Sequence, residues 1–334
     1  MKKILALLLL AIVFVSACTP NATLDPETDP QLEAAVDDPL AEEPPEAEPL
    51  VDDSNNESAA DGTGTIGFSI STLDHPFFVG MDEGARAAQA QLDVDLIIID
   101  AQDDTEKQAS DIEDLIAQGI EVLIVNPVDS AAIAPTISDV IEAGIPVIAV
   151  DSWIEGVDVD VFIGTDNFEA SQMIAEHFIS IVGEGTSIAI LEGTPDDSSA
   201  IDRLAGFLDI AEDRLDIVAS QPANFAREEG FDAAESILSA HPDIQAIVAM
   251  DDEMALGAIE AAIGAGRTPG EDIFITGFDA TDDARTAVLT GTMLFTVEQQ
   301  NVGMGFEGVA TALGIMLGQT YPSYIPVNVA LIEQ

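Results

Sequence analysis

Short apolar runs alternate with amphipathic helical patterns along most of the chain. Four consecutive apolar residues at Leu96–Ile99 are typical of a parallel strand that is covered on both faces. The segment Thr105–Gln118 reads as a helix that opens on a Thr-x-x-Gln capping box and stops at Gly119. The pattern predicts ten strands, over Thr65–Ser71, Asp95–Asp100, Val122–Asn126, Pro146–Asp151, Val161–Gly164, Ser187–Leu191, Ile217–Ser220, Ala246–Ala249, Ile273–Gly277 and Leu294–Val297. Repeated βα units of this length predict an α/β fold with doubly wound parallel sheets in two lobes.

The N-terminus has the pattern of an export signal. Lys2 and Lys3 precede the unbroken apolar run Ile4–Val15, which is too short for a bilayer span but suits a signal peptide. The run leads to Val-Ser-Ala-Cys, which resembles the bacterial lipobox and ends at Cys18, the only cysteine. We therefore expect a signal peptide over residues 1–17 and a lipidated Cys18. The protein is then exported and held by lipid at the outer face of the cytoplasmic membrane or in the periplasm.

Residues 18–63 are predicted to form an acidic, disordered tether. Between Thr19 and Thr63 there are 14 acidic residues and seven prolines, with no lysine, arginine or aromatic residue. Such a segment buries too little apolar area to offset its ordering entropy, and its like charges extend it.

The charge of the chain limits its partners and its environment. With 63 acidic against 9 basic residues, the net charge is −54, which excludes nucleic acid as a partner because phosphate binding needs basic clusters. After removal of the signal peptide, Lys107 is the only lysine. Self-repulsion on this scale destabilises a compact state unless salt screens it, so the sequence predicts a halophilic protein.

Polar residues gather where five predicted strands end. In open α/β sheets, ligands bind at the carboxyl ends of the strands. The five clusters are Thr72–His75, Asn126-Pro127, Asp151-Ser152, Asp251-Asp252 and Phe278-Asp279. Some of these residues are ordinary helix caps, but five clusters together favour a binding site.

Six motifs in order resemble the type I periplasmic sugar-binding proteins of ABC transporters. They are Ser71–Val79, Leu123–Ser130, Ile145–Asp151, Ala219–Phe225, Asp251–Ala258 and Gly277–Asp279. The resemblance implies two doubly wound lobes joined by a three-strand hinge, with crossovers near Gly164–Asp166, Gln299–Gln300 and Tyr321–Tyr324. It places residues 64–164 and 300–322 in the N-terminal lobe, and residues 165–299 and 323–334 in the C-terminal lobe.

The same resemblance implies a set of ligand-binding residues. They are Ser71, His75, Phe77, Phe78, Asp151, Ser152, Trp153, Phe225, Asp251, Phe278, Asp279 and Gln299. Aromatic rings suit the C–H faces of a sugar, and ionised carboxylates accept strong hydrogen bonds from its hydroxyl groups.

Some positions depart from the family pattern. The family's two ligand arginines fall at Ser152 and Ile201, and Arg203 is expected to be structural. His75 and Asp251 stand where the family has asparagine. The expected pocket therefore holds three carboxylates without a guanidinium group. Either a neutral sugar or polyol binds with altered contacts, or the ligand is itself cationic, as an amino sugar is.

The expected function is that of a substrate-binding lipoprotein that delivers a small sugar or polyol to an ABC permease. The alternative role is that of a ligand receptor for chemotaxis or for a sensor kinase. We expect a monomer and no cofactor. His177 and His241 show no metal-ligand spacing, so no metal is expected. Because hydrolase, metalloprotease and phosphate-loop motifs are absent from the sequence, we do not expect an enzyme.

The charge predicts a response to salt. The melting temperature should rise clearly between low and molar NaCl, because added ions screen repulsion among the carboxylates. Thermal unfolding followed by circular dichroism at both salt concentrations measures this. A flat response would contradict the salt-adaptation hypothesis.

Overall fold

The structure is a computed structural model that describes residues 64–334. The predicted signal peptide, Cys18 and the tether lie outside these residues. The strands are β1 (Thr65–Ile70), β2 (Asp95–Asp100), β3 (Val122–Val125), β4 (Val147–Val150), β5 (Val161–Gly164), β6 (Ser187–Glu192), β7 (Asp216–Pro222), β8 (Ala246–Ala249), β9 (Phe274–Thr276), β10 (Thr296–Glu298), β11 (Tyr324–Pro326) and β12 (Ala330–Ile332). The helices are α1 (Pro76–Leu92), α2 (Thr105–Ala117), α3 (Ala134–Glu142), α4 (Asn167–Val182), α5 (Ser198–Ala211), α6 (Arg227–Ala240), α7 (Asp252–Gly264), α8 (Asp282–Thr290) and α9 (Asn301–Met316). Among residues 64–334, no helix combines the length and apolar character that crossing a bilayer requires.

Two parallel sheets form the centres of two lobes. The first sheet has the order β2-β1-β3-β4-β5-β11, and the second has the order β7-β6-β8-β9. Isolated parallel bridges place β10 beside β9, and β12 pairs antiparallel with β10. Both lobes thus repeat one doubly wound order, in which the first strand of the lobe lies between the second and the third: β2-β1-β3 in one sheet and β7-β6-β8 in the other. The predicted fold class is confirmed.

The central strands of the first sheet are buried on both faces, as their sequences predict. At the edge of the sheet, Leu96–Ile99 of β2 contact core clusters on both faces but are only half-buried. Along β3, Val122 and Ile124 belong to one core cluster, whereas Leu123 and Val125 belong to the cluster on the opposite face. A single further cluster fills the second lobe around Phe178, Phe207 and Phe295. Covering both faces is what permits near-continuous apolar runs in a parallel sheet.

The ten predicted strands are present, but two local predictions need correction. Helix α2 is capped by Asp104, whose side chain accepts a hydrogen bond from Lys107 N–H at 2.9 Å, so Thr105 is the first helical residue and not the cap. The strands β11 and β12 were not anticipated. Each is only three residues long. Proline is unusual in a strand because it has no N–H to donate, but Pro326 lies in an edge strand, where proline is tolerated.

The chain crosses between the lobes three times. It leaves the first sheet after Gly164, returns between Glu298 and Asn301, and leaves again after Pro326. The third crossover differs from the expected one at Tyr321–Tyr324, because Tyr324–Pro326 pair with β5 in the first sheet. The crossovers lie side by side, since Val327 N–H donates to Gly164 O at 2.9 Å and Glu298 pairs with Ala330.

Glycine lets the helices that cover each lobe approach closely. A Cβ on Gly84 of α1 would lie against the carbonyl oxygen of Val302 in α9, closer than real atoms approach. Gly305 of α9 meets Met81 O in the same way, so the two helices exchange glycine contacts. Nothing lies within 4 Å of a Cβ built on Gly264 at the end of α7.

The two kinds of glycine predict opposite effects of the same substitution. Gly84→Ala should lower the free energy of unfolding by about 1–3 kcal/mol, because α1 and α9 must separate. Gly264→Ala should be neutral or stabilising by up to about 1 kcal/mol, because a helical position gains the better helix former. Urea unfolding of both variants measures this. Equal effects at the two positions would contradict the close-approach explanation.

Candidate functional site

A cleft of about 620 Å³ lies between the lobes, at the carboxyl ends of strands from both sheets. The residues after β1 and β3 flank it on one side, and those after β6 and β8 flank it on the other. These are the strand pairs at which each sheet reverses its winding, which is where ligands bind in open α/β folds.

The structure brings most of the predicted residues to this cleft. Those that line it are Ser71, His75, Phe77, Phe78, Asp151, Phe225 and Asp279. The remaining five predicted residues do not line it. Asp251, Phe278 and Gln299 are buried directly behind the lining residues. Ser152 and Trp153 instead contact the second lobe beside the cleft, through bonds to Asp197 and Asp202.

The start of α1 fixes His75. Phe77 N–H donates to His75 Nδ1 at 3.2 Å, and Pro76 occupies the first helical position, where its missing N–H costs nothing. The other ring nitrogen, Nε2, lies 2.9 Å from Asp251 Oδ2 in the second lobe. The pair therefore joins the two lobes. Phe78 packs against His75 with ring centroids 5.6 Å apart and meets Phe77 edge to face.

Two opposing effects set the pKa of His75. Burial lowers it, but the hydrogen bond and charge of Asp251, with the charges of Asp279 and Glu253, outweigh burial and raise the pKa to about 9. The cap opposes this rise, because a fully protonated ring has no lone pair at Nδ1 to accept from Phe77. When the ring is protonated, His75 therefore loses the hydrogen bond from Phe77 N–H and forms an ion pair with Asp251 across the cleft.

Asp151 follows β4 and is 4% exposed. Its Oδ2 accepts a long hydrogen bond from Asn126 Nδ2 at 3.5 Å. Ser152 Oγ also lies 3.5 Å from Oδ2, but its one hydrogen is donated to Asp197 at 2.8 Å. Its Oδ1 accepts no hydrogen bond from any residue within 64–334. Burial raises the pKa of Asp151 to about 7, with Asp197 and Asp279 adding to the rise and Arg203 opposing it.

Left-handed backbone is concentrated at the cleft. Outside glycine this conformation costs about 1–2 kcal/mol per residue, and it is typical of functional sites. Among residues 64–334, eight non-glycine residues after strand ends adopt it, and five of these line the cleft: Asp103, Asp151, Asn224, Phe225 and Asp279.

Arg203 corrects the expectation of a cleft without a guanidinium group. It lies on α5, is 4% exposed, and lines the cleft. Its Nη1 donates to Met250 O at 2.8 Å and lies 3.7 Å from Asp279 Oδ1. The guanidinium carbon lies 3.9 Å from the centroid of Phe278, which is a cation–π contact. The predicted ligand-binding residue Phe278 therefore stacks on Arg203 and does not line the cleft.

Asp279 is held from behind. Gln299 Nε2 donates to its Oδ1 at 2.6 Å, which places the predicted Gln299 beneath the cleft wall. Burial raises the pKa of Asp279 to about 6; Arg203 and His75 lower it, and Asp251 raises it further. Asp251 caps α7 by accepting from Met254 N–H at 2.9 Å, so Asp252, for which the sequence suggested a cap, is the first helical residue instead. The buried Asp252 accepts from Thr296 and from Thr281 N–H.

Sequence reasoning missed several lining residues. Besides Arg203 these include Asp103, Thr194, Asp197, Ser199 and Arg227. Asp197 caps α5 by accepting from Ala200 N–H at 3.0 Å. The sequence contained a signal for Asp197: Pro195-Asp196-Asp197 follows β6, just as the other polar clusters follow their strands.

One group of side chains in the cleft has the composition of a metal site. His75, Asp251 and Asp279 offer ligand atoms within 4.8 Å of one another. His75 and Asp251 already bind each other, and Asp279 binds Gln299. His177 pairs with Glu333 at 2.9 Å. The absence of a metal stays a prediction.

Comparisons with known proteins give a consistent answer. The model of the periplasmic binding protein domain family matches residues 66–320. The ribose import binding protein RbsB of Bacillus subtilis is 38% identical over 270 residues, which is 81% of this chain and 87% of that protein. The Caulobacter myo-inositol binding protein bound to myo-inositol has a TM-score of 0.78 at 29% identity, over 82% of this chain and 94% of that one. An ABC transporter solute binding protein from Actinobacillus succinogenes with bound D-allose has a TM-score of 0.75 at 31% identity, over 81% and 97% of the two chains.

This family consists of exported solute-binding proteins and not of enzymes, which confirms the expectation that the cleft binds rather than catalyses. The matches cover both lobes and the hinge between them. The chain therefore belongs to the periplasmic binding protein domain family, and it resembles the type I sugar-binding members of that family.

Proposed function

We propose that the protein captures a small sugar or polyol between its lobes and delivers it to an ABC permease. The observation that carries this proposal is the composition of the cleft wall. Aromatic rings, carboxylates and the guanidinium groups of Arg203 and Arg227 converge on a single space from both lobes. The named ligands of the relatives, ribose, myo-inositol and D-allose, are all polyhydroxylated and support this class of solute.

The wall suits the two surfaces of such a solute. Phe78 from the first lobe and Phe225 from the second present rings to its C–H faces. Asp151 and Asp279 accept hydrogen bonds from hydroxyl groups, and Arg203 donates them. Nearly every hydroxyl needs a partner, because burying an unpaired polar group costs about 1–3 kcal/mol.

Ligand contacts to both lobes provide the bias toward closure. A ligand shifts a conformational equilibrium only by its difference in affinity for the two states. A solute that touches Asp151 and Asp279 at once binds the closed state better, since those residues belong to different lobes. The closed form then presents a joint surface of both lobes to the permease.

The remaining parts of the proposal come from the sequence. Cys18 would carry the lipid, and the acidic segment 18–63 would tether the receptor outside the membrane. The relatives that are named import binding proteins support transport rather than chemotactic or kinase sensing. The receptor is proposed to act as a monomer.

The proposal predicts that a sugar or polyol stabilises the protein. A ligand at 100 times its Kd should add about 2.7 kcal/mol to the free energy of unfolding, because it binds only the folded state. Thermal-shift screening of pentoses, hexoses and cyclitols, myo-inositol included, measures this. If neither the panel nor the amino derivatives of its members raise the melting temperature, capture of a polyhydroxylated solute is ruled out.

Asp279 is predicted to contribute directly to affinity. Asp279→Asn should weaken binding of the sugar found by the screen about 10- to 100-fold, because a charge-assisted hydrogen bond is worth about 1.5–3 kcal/mol. The matched control is Asp282→Asn, three residues along the chain on the exposed first turn of α8, which should bind normally. Isothermal titration calorimetry measures both. Unchanged affinity in Asp279→Asn would remove this residue from the site.

A further inference from the structure

The cleft buries more negative than positive charge. Four carboxylates face one another across it or directly behind its wall, at Asp151, Asp197, Asp251 and Asp279. The cationic side chains among them are Arg203 and His75. An ionised carboxylate in an apolar interior is costly unless a cation and hydrogen bonds compensate it.

Two of the carboxylates have a cationic partner. Asp251 pairs with His75 at 2.9 Å, and Asp279 lies 3.7 Å from Arg203. Within residues 64–334, no ion pair reaches Asp151 or Asp197. These two carboxylates therefore lack a cation in contact: Asp197 has only the N-terminus of α5, and Arg203 acts on Asp151 from beyond ion-pair distance.

Asp151 and Asp197 are neighbours with different bonding. Ser152 lies between them, 2.8 Å from Asp197 Oδ2 and 3.5 Å from Asp151 Oδ2. Both oxygens of Asp197 already accept hydrogen bonds, because Oδ1 accepts from Ser199 and from Ala200 N–H. Asp151 lines the cleft, and its Oδ1 is buried and accepts nothing from residues 64–334. The geometry thus leaves one carboxylate oxygen for a ligand, beside a second negative charge.

We propose that the solute is a polyol that carries an ammonium group, and that this group binds Asp151 Oδ1 within the field of Asp197. This inference rests on the proposed function and specifies its substrate class. A hydroxyl group would satisfy the hydrogen bond of Oδ1 but leave both carboxylates without a cation in contact. An ammonium group satisfies the hydrogen bond and removes one unit of excess charge.

The mouth of the cleft favours the same kind of solute. Asp103, Glu228 and Glu229 also line the cleft, and within residues 64–334 none of them forms an ion pair. The rim cation Arg227 is bound by Glu253, with both contacts at 2.9 Å, and by Asp283. A cleft lined by one sign of charge concentrates solutes of the opposite sign and speeds their association.

The experiment compares matched pairs of solutes by isothermal titration calorimetry. The full chain, purified in mild detergent at pH 7.5, is titrated with D-glucosamine and D-glucose, and with scyllo-inosamine and scyllo-inositol. In at least one pair the amine should bind at least tenfold more tightly than its neutral parent. Asp151→Asn should bring the two affinities within twofold of each other, whereas the control Asp209→Asn, on the outer face of α5 beside Gln172, should keep the difference.

Lowering the pH gives an independent reading. The groups that face Asp151 are Asp197 and Arg203 of α5, Asp279 after β9 and His75 at the start of α1. With its pKa raised to about 7 by burial, Asp151 takes up a proton as the pH falls, and that proton competes with the ammonium group. Affinity for the amine should fall roughly tenfold or more between pH 7.5 and 5.5, since each pH unit below a pKa costs about a factor of ten. In Asp151→Asn the fall should shrink to the smaller share of Asp279, whose pKa burial raises to about 6.

Each outcome bears on one of the two proposals. If a neutral parent binds as tightly as its amine, the ammonium site is refuted while capture of a sugar or polyol stands. If neither member of any pair binds, and the wider panel is also inactive, the proposed function itself fails. If CaCl2 alone binds and Asp151→Asn abolishes that binding, these two carboxylates form an inorganic cation site, and the ammonium proposal is wrong.

Discussion

Charge balance across the cleft is the constraint on which the arrangement of the two lobes depends. Each of the two compensated carboxylates has its partner at a defined distance, and the His75–Asp251 pair spans both lobes. Removing one member of a buried pair is strongly destabilising, because the other charge is left alone in an apolar interior. The same constraint makes the closed cleft selective, because a solute that adds negative charge would increase the excess of buried carboxylates.

The surrounding backbone holds these charges in place. Left-handed residues at Asp151 and Asp279 turn the chain sharply at the strand ends, so that each carboxylate lies at the cleft rather than capping a following helix. Such positions persist only where the surrounding structure determines them. Here the determining structure is the pair of buried sheets, and the close helix packing at Gly84 and Gly305 keeps α1 and α9 against the first of them.

The sequence predicts the sheets well because burial on both faces leaves a direct signal. Leu96–Ile99 is apolar at every position, and its strand appears where expected. It predicts the short strands poorly, because Tyr324–Pro326 gain their strand geometry from pairing with β5 and from the stacking of Tyr324 on Phe162, not from an apolar pattern of their own.

The site residues divide in the same way, into those with a signal in the sequence and those that depend on packing. His75, Asp151 and Asp279 belong to polar clusters that follow strands, and parallel strands bring their carboxyl ends to one edge. The family resemblance then selected these three residues from the clusters. Arg203 was not, because it projects from the second turn of a helix and reaches the cleft only through the packing of α5. Trp153 lies two residues after Asp151, where a regular extended segment would place both side chains on the same side. Its indole N–H is instead directed to Asp202, because the left-handed backbone at Asp151 interrupts that alternation.

The three crossovers determine how the lobes can move. Hydrogen bonds join the first crossover to the third at Gly164 and Val327, and the third is paired to the second through Glu298 and Ala330. Three laced strands resist twisting and sliding, whereas bending about an axis across them needs only small torsion changes at a few residues. The lobes can therefore move in one main way, by rotating about this hinge. Each lobe moves as a rigid body, and the two walls of the cleft separate together.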